Sequence, residues 1–218
     1  MELEQLYRKC RATAEEIYRK FDASHDLDHI NRVMKNAIDI SVREPLANEF
    51  IIKLSVLLHD IEDAKYKLED TLSVREILEM HEADEILIDR VIACIDSVSF
   101  SGGNEKAITS IEGAIIRDAD RLDAIGAIGI ARAFTFGGAR GRKLYDANEE
   151  ARAKMSEEDY RKKRTATVTH FHEKLLLLKE LMVTAEGKRL AKERHEFMVA
   201  FLEQLDREIG MGKDSVWT

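Results

Sequence analysis

A single proline in 218 residues is the feature that most narrows the fold. Proline lacks an N–H donor and clashes with the preceding helical turn, so helix interiors exclude it and helical chains run low in it. No period-2 alternation of strand length occurs, and apolar residues recur at three- and four-residue spacing instead. The expected fold class is therefore all-α. Pro45 precedes the apolar run LANEFIIKL, where it is expected to occupy the first turn of a central helix. In that helix Phe50, Ile51, Ile52, Leu54, Val56, Leu57 and Leu58 cover every face, which requires burial all round. It ends on His59 and Asp60.

The other helices follow from their stripes. Leu3, Leu6, Tyr7, Cys10, Ala14, Ile17, Tyr18 and Phe21 mark a helix over about 3–21, and Leu27, Ile30, Met34, Ala37 and Ile38 mark one over about 26–43. Two amphipathic helices are expected at 71–81 and 84–98, then a loop at 99–105. A stripe of Ile108, Ile111 and Ile115 leads into RDADRLD at 117–123. The small-residue segment 124–136, with Gly126 and Gly129, suits close helix packing. A glycine-rich basic loop, 136–142, is either an anion-binding nest or a helix end stopped at Gly137, and residues 139–163 read as the least ordered part. Two long helices close the chain. The first carries Val168, Phe171, Leu175, Leu178 and Met182, and Thr184 caps the second, where Arg194 suits a structural ion pair.

A chain of this length buries a substantial core and is expected to form one domain over residues 1–218. No run of about 18 apolar residues exists to span a membrane. The opening MELEQLYRKCRA lacks an apolar signal region, so secretion is not expected. Cys10 and Cys94 are far apart and read as reduced core thiols in a cytoplasm. The formal charge of −8 argues against a nucleic acid polymer as partner, while leaving room for a small anion in a locally basic pocket.

The chemistry starts at His59-Asp60. A carboxylate carried into a core costs several kcal/mol, roughly 2–7 for a polar group and more for a charge, unless it is paired. A metal cation would pair it, and so would a plain His–Asp hydrogen bond. His29 stands at the edge of the second helix's apolar face, where a solvated role competes with a ligand role. In RDADRLD, Asp120 shares a face with Ile116 and Ala124, and Asp118 shares one with Ile115 and Leu122, so periodicity does not choose between them. Two imidazoles and two carboxylates suit Mn, Fe, Co or Ni, or Mg, better than a structural zinc. Such a site supports hydrolysis at phosphorus.

These stretches resemble the HD superfamily of metal-dependent phosphohydrolases, helical bundles with an H…HD…D pattern. The matching segments are SHDLDHINRV (24–33), LLHDIEDAKY (57–66) and IIRDADRLDAIGAIGIARAF (115–134), with a weaker match over 169–198. The resemblance implies one HD-type bundle, with its motif core at about 24–134 completed by C-terminal helices at about 158–209. It implies His29, His59, Asp60 and Asp120 as metal ligands, and so decides for Asp120 over Asp118. It places His25 near the pocket, and Asp63 and Lys65 in the positions of a second carboxylate and a lysine.

The expected function is a metal-dependent phosphohydrolase acting on a nucleotide or other small phosphoester, with homodimerisation compatible. Asp63, or else Glu62, is the expected acid–base group. Lys65, Arg121, Arg132 and Lys174 are candidates to neutralise phosphate, the structural role being favoured for Arg121, and His170 is a candidate proton donor or phosphate ligand. The rival readings are an alarmone or cyclic-dinucleotide hydrolase, and a non-catalytic nucleotide-binding HD module.

Overall fold

The computed structural model describes residues 2–21, 26–62, 71–98, 107–152 and 165–210, and among these there are helices and turns but no strand. In chain order the helices are α1 (Glu2–Tyr18), α2 (Leu27–Ser41), α3 (Glu49–Leu58), α4 (Val74–Met80), α5 (Glu85–Asp96), α6 (Ile111–Asp123), α7 (Gly126–Ala139), α8 (Thr167–Glu173), a 3₁₀ helix (Leu175–Leu181) and α9 (Ala185–Ile209). The all-α expectation therefore holds. No described helix is long and apolar enough to cross a membrane. The described residues form two compact units, one from residues up to 98 together with 107–120, the other from 121–210.

In the first unit α3 packs against α1, α2 and α5. Ile51, Ile52, Leu54, Ser55, Val56, Leu57 and Leu58 are all buried, as a helix apolar on every face demands. Each such aliphatic side chain contributes about 1.5–3 kcal/mol, set against the entropy of ordering the chain. Asn48 starts the helix: its side chain accepts from the Phe50 and Ile51 N–H groups, and its own N–H donates to Glu112 Oε1 at 2.9 Å. Pro45 lies in the turn before α3 rather than in its first turn, because the Asn48 side chain satisfies two orphan donors that proline could only leave open.

The buried face of α2 also differs from its apolar stripe. It consists of His29, Ile30, Val33, Asn36, Ala37 and Ile40, while Met34 and Ile38 are half-exposed. His29 and Asn36 belong to the inward face, and counting only apolar residues rotates that face away from them. The helix is capped by Asp26, whose carboxylate accepts the His29 N–H at 3.0 Å.

In the second unit α7 packs on α8 and α9, and the 3₁₀ helix on α8 and α9. The long helix expected through 168–182 is broken at Lys174, whose φ/ψ of −141°/−58° is not helical. The break follows Glu173, whose buried carboxylate takes Arg152 Nε at 2.6 Å and Thr165 Oγ1 at 3.3 Å. A 3₁₀ turn keeps residues three apart on one row, so Leu175 and Leu178 stay buried across the change.

The stretch read as least ordered is tied down in its described part, through residue 152. Lys143 and Leu144 carbonyls accept from Thr167 and Val168 N–H, and Glu149 Oε2 accepts from Ala166 N–H and the Thr169 hydroxyl. The glycine-rich loop closes α7 instead of forming a nest. Arg140 and Arg142 N–H both donate to Gly137 O, and Gly141, at φ +65°, donates to Gly138 O. The helix thus runs past Gly137 to Ala139, with left-handed Gly141 just beyond its end, and its closing amides are spent. Gly137 is required for another reason: a Cβ there would meet Thr167 Oγ1 at 2.3 Å.

Burial pushes the Glu173 carboxyl up, but Arg152 outweighs it and holds the group below its ordinary 4.5. The ionised form therefore stabilises the fold above pH 4.5, and that contribution is lost as pH falls through the folded value. Glu173→Gln should cost about 3 kcal/mol at pH 7. Its deficit against wild type should shrink below pH 4.5, as read by thermal unfolding across a pH series.

Candidate metal centre

Three helices of the first unit deliver the cluster. His29 comes from the first turn of α2, His59 and Asp60 follow the last turn of α3, and Asp120 lies on α6. His29 Nε2 stands 3.3 Å from Asp60 Oδ2 and 3.5 Å from Asp120 Oδ1. His59 Nε2 stands 3.4 Å from Asp60 Oδ1 and 3.8 Å from Asp120 Oδ1. Ligand atoms of His29, His59 and Asp120 lie within 4.8 Å of one another. Donors about 2.1 Å from a common ion are roughly 3.0–3.5 Å apart at adjacent positions, so these spacings fit a small divalent cation.

The end of α3 shows why the motif sits where it does. A helix leaves its last carbonyls without partners in the helix itself. Val56 O pairs with His59 Nδ1 at 2.9 Å, Leu57 O accepts from the Tyr18 hydroxyl at 2.9 Å, and Leu58 O accepts from Ile61 N–H at 3.2 Å. A carbonyl only accepts, so neutral His59 carries its proton on Nδ1. Its buried Nε2 faces the two carboxylates and, in that neutral form, would offer them or a cation a lone pair. Asn36 Nδ2 donates to Ala119 O at 3.0 Å, tying α2 to α6 one residue before Asp120.

Charge and burial are matched here. The His29 and His59 side chains are 1% and 3% exposed and Asp60 is 13%, while Asp120 at 33% is the solvent-facing member. Burial opposes charge on His59, but Asp60 and then Asp120 outweigh it and hold the imidazole up to about 9. Burial likewise pushes Asp120 up, and the two histidines more than reverse it, holding it below its ordinary range. The two carboxylates thus favour the protonated form of His59. Asp118, fully buried, is not in the cluster.

The remaining sequence candidates divide by location. His25, Asp63 and Lys65 lie outside the described residues. Glu62 is exposed, and its Oε2 accepts the Val74 N–H at 3.0 Å at the start of α4. Arg121, Arg132, His170 and Lys174 belong to the second unit. There Arg121 donates to Leu181 O, and Arg132 Nη1 pairs with buried Asp123 at 2.6 Å. Arg194 caps α6 by donating to Leu122 O. Burial, then Lys174 and Arg142, push His170 down to about 4, so it is neutral at pH 7. Sequence reading passed over Asn36 and saw Tyr18 only as a stripe residue. A polar residue seven positions after His29, on the same helical face, was the available signal for Asn36.

A buried H…HD…D cluster on helices defines the class, and the chain belongs to the HD superfamily. It is 39% identical over 204 residues to YpgQ of Bacillus subtilis, an uncharacterized protein, covering 91% of each chain. The structure of YpgQ in complex with ADP superposes with a TM-score of 0.75 at 36% identity, covering 95% of this chain and 97% of that one. A Lactobacillus plantarum protein gives a TM-score of 0.82 at 32% identity, covering 95% and 98%. An HD-superfamily hydrolase from Bacillus thuringiensis gives 0.74 at 37%, covering 96% and 99%. No family model matches the chain.

The two aspartates of the α6 motif separate cleanly by experiment. Wild type should bind one equivalent of Co(II) in a calorimetric titration. Asp120→Ala should weaken that binding at least about 100-fold, whereas Asp118→Ala, though less stable, should keep the stoichiometry.

Proposed function

We propose that this chain is a metal-dependent phosphohydrolase acting on nucleotides or other small phosphoesters, built as one HD domain. The observation that carries the reading is the convergence of His29, His59, Asp60 and Asp120, two neutralisable imidazoles facing two carboxylates. That donor set suits Mn, Fe, Co or Ni, accepts Mg, and differs from the thiolate-rich sites of structural zinc. A divalent ion held there supplies an acidified water and charge neutralisation at a phosphoryl group. YpgQ, similar over nearly the whole chain, has been crystallised with ADP, which supports a nucleotide as ligand.

The chain's own groups take the other tasks. His59 keeps its proton on Nδ1 through Val56 O and so offers Nε2. Asp63 accepts the proton of the attacking water. Glu62 is the second choice, because its carboxylate already accepts the Val74 N–H. Lys65, Lys174 and His25 are the candidates to contact phosphate, the two lysines by offsetting its charge. Neutral His170 serves as a hydrogen-bonding partner of phosphate rather than as a proton donor. The bonds of Arg121 and Arg132 within the second unit support structural roles for both over phosphate contact.

The test is a panel of nucleoside mono-, di- and triphosphates, cyclic dinucleotides and simple phosphoesters with Mn(II), with products identified. Turnover should appear, Asp60→Ala should abolish it together with metal binding, and Asp63→Ala should lower kcat by about 10²–10⁴. Full activity in Asp63→Ala would remove that residue from the role. Tight binding of a nucleotide with no turnover across the panel would favour a non-catalytic module.

A further inference from the structure

We propose that Tyr18 is a positioning residue for the metal centre, its hydroxyl fixing the turn that presents His59 and Asp60. The inference rests on the metal reading above and adds a residue outside the H…HD…D pattern.

Tyr18 ends α1 and is 1% exposed. Its ring meets Phe21 edge-on with centroids 5.3 Å apart, so packing alone would account for the ring. The hydroxyl is another matter. In a continuing helix Leu57 O would accept from Ile61 N–H, but Ile61 donates to Leu58 O instead. The chain tightens there from the α to the 3₁₀ pattern, and Leu57 O is left facing α1. Tyr18 Oη donates to it at 2.9 Å. The hydroxyl thus ties α1 to a carbonyl two residues before His59 and three before Asp60.

Two further fastenings of this turn are local. His59 Nδ1 to Val56 O and Ile61 N–H to Leu58 O both lie within α3 and its exit. Tyr18 is a tie to this backbone from a different helix, and α1 packs directly on α3. Local bonds shape the turn, but only an outside contact sets where the turn sits relative to its neighbours. The Asp60 carboxylate must stay 3.3 and 3.4 Å from two imidazoles on separate segments. A small rotation of the 57–60 peptide units would break that register. Partners that orient ligands from behind are typically worth 10–100-fold in metal affinity.

The experiment compares wild type, Tyr18→Phe and Ile77→Ala by Co(II) titration, following heat and the visible absorption of the bound ion. Phenylalanine keeps the ring and removes only the hydroxyl. Ile77, fully buried on α4, gives a destabilised control whose helix packs on α1 and α5 rather than on α3. The expected result is a 10–100-fold weaker Co(II) affinity and an altered absorption band in Tyr18→Phe, with wild-type affinity in Ile77→Ala. Amide exchange should also quicken at residues 58–61 in Tyr18→Phe while α5 keeps its protection. Unchanged affinity in Tyr18→Phe overturns the assignment, as does an equal loss in Ile77→Ala. A Tyr18→Phe protein that fails to fold would make the hydroxyl a determinant of stability and overturns it too. Wild type binding neither Co(II) nor Mn(II) would overturn the metal reading itself, and the assignment with it.

Discussion

A carboxylate at the buried end of a helix must be compensated on the spot. This is the constraint on which the first unit depends. Seven residues of α3 are buried, and the chain leaves that helix through His59 and Asp60. Little water reaches the Asp60 carboxylate, and the fold answers with imidazoles at 3.3 and 3.4 Å and with a second carboxylate beyond them. The imidazoles and carboxylates compensate one another in charge, and the same four groups present the donor atoms a cation would take. The unit accordingly reads as scaffolding around one cluster of opposed charges.

Where the chain carried a periodic signal, the fold was legible. The all-round apolar run of α3 foretold its burial, and Val168, Phe171, Leu175, Leu178 and Met182 are all buried as their spacing suggested. The four cluster residues were found through the H…HD…D resemblance, since periodicity left Asp118 and Asp120 equal. What stayed hidden depends on partners distant in sequence. The break at Lys174 involves a carboxylate whose arginine lies 21 residues earlier, and the anchoring of 143–152 runs through Glu149 to backbone 17 residues on. Such bonds leave no local pattern to read. Asn36 and Tyr18 illustrate the same limit, because each acts through a backbone carbonyl on another helix.

The second unit solves a different problem with similar means. Its carboxylates, Glu149 and Glu173, collect donors from short segments that have little apolar surface of their own. The basic loop after α7 spends its amides on ending the helix.

The burial of the last five residues of α3 has a mechanical meaning as well. A helix end packed in that way cannot tilt or slide without opening voids, and tightly filled interiors resist that. Half of the cluster therefore rides on a fixed post. Any adjustment that accompanies the arrival or departure of a small molecule must be made by other stretches, with His59 and Asp60 serving as the stationary reference against which they move.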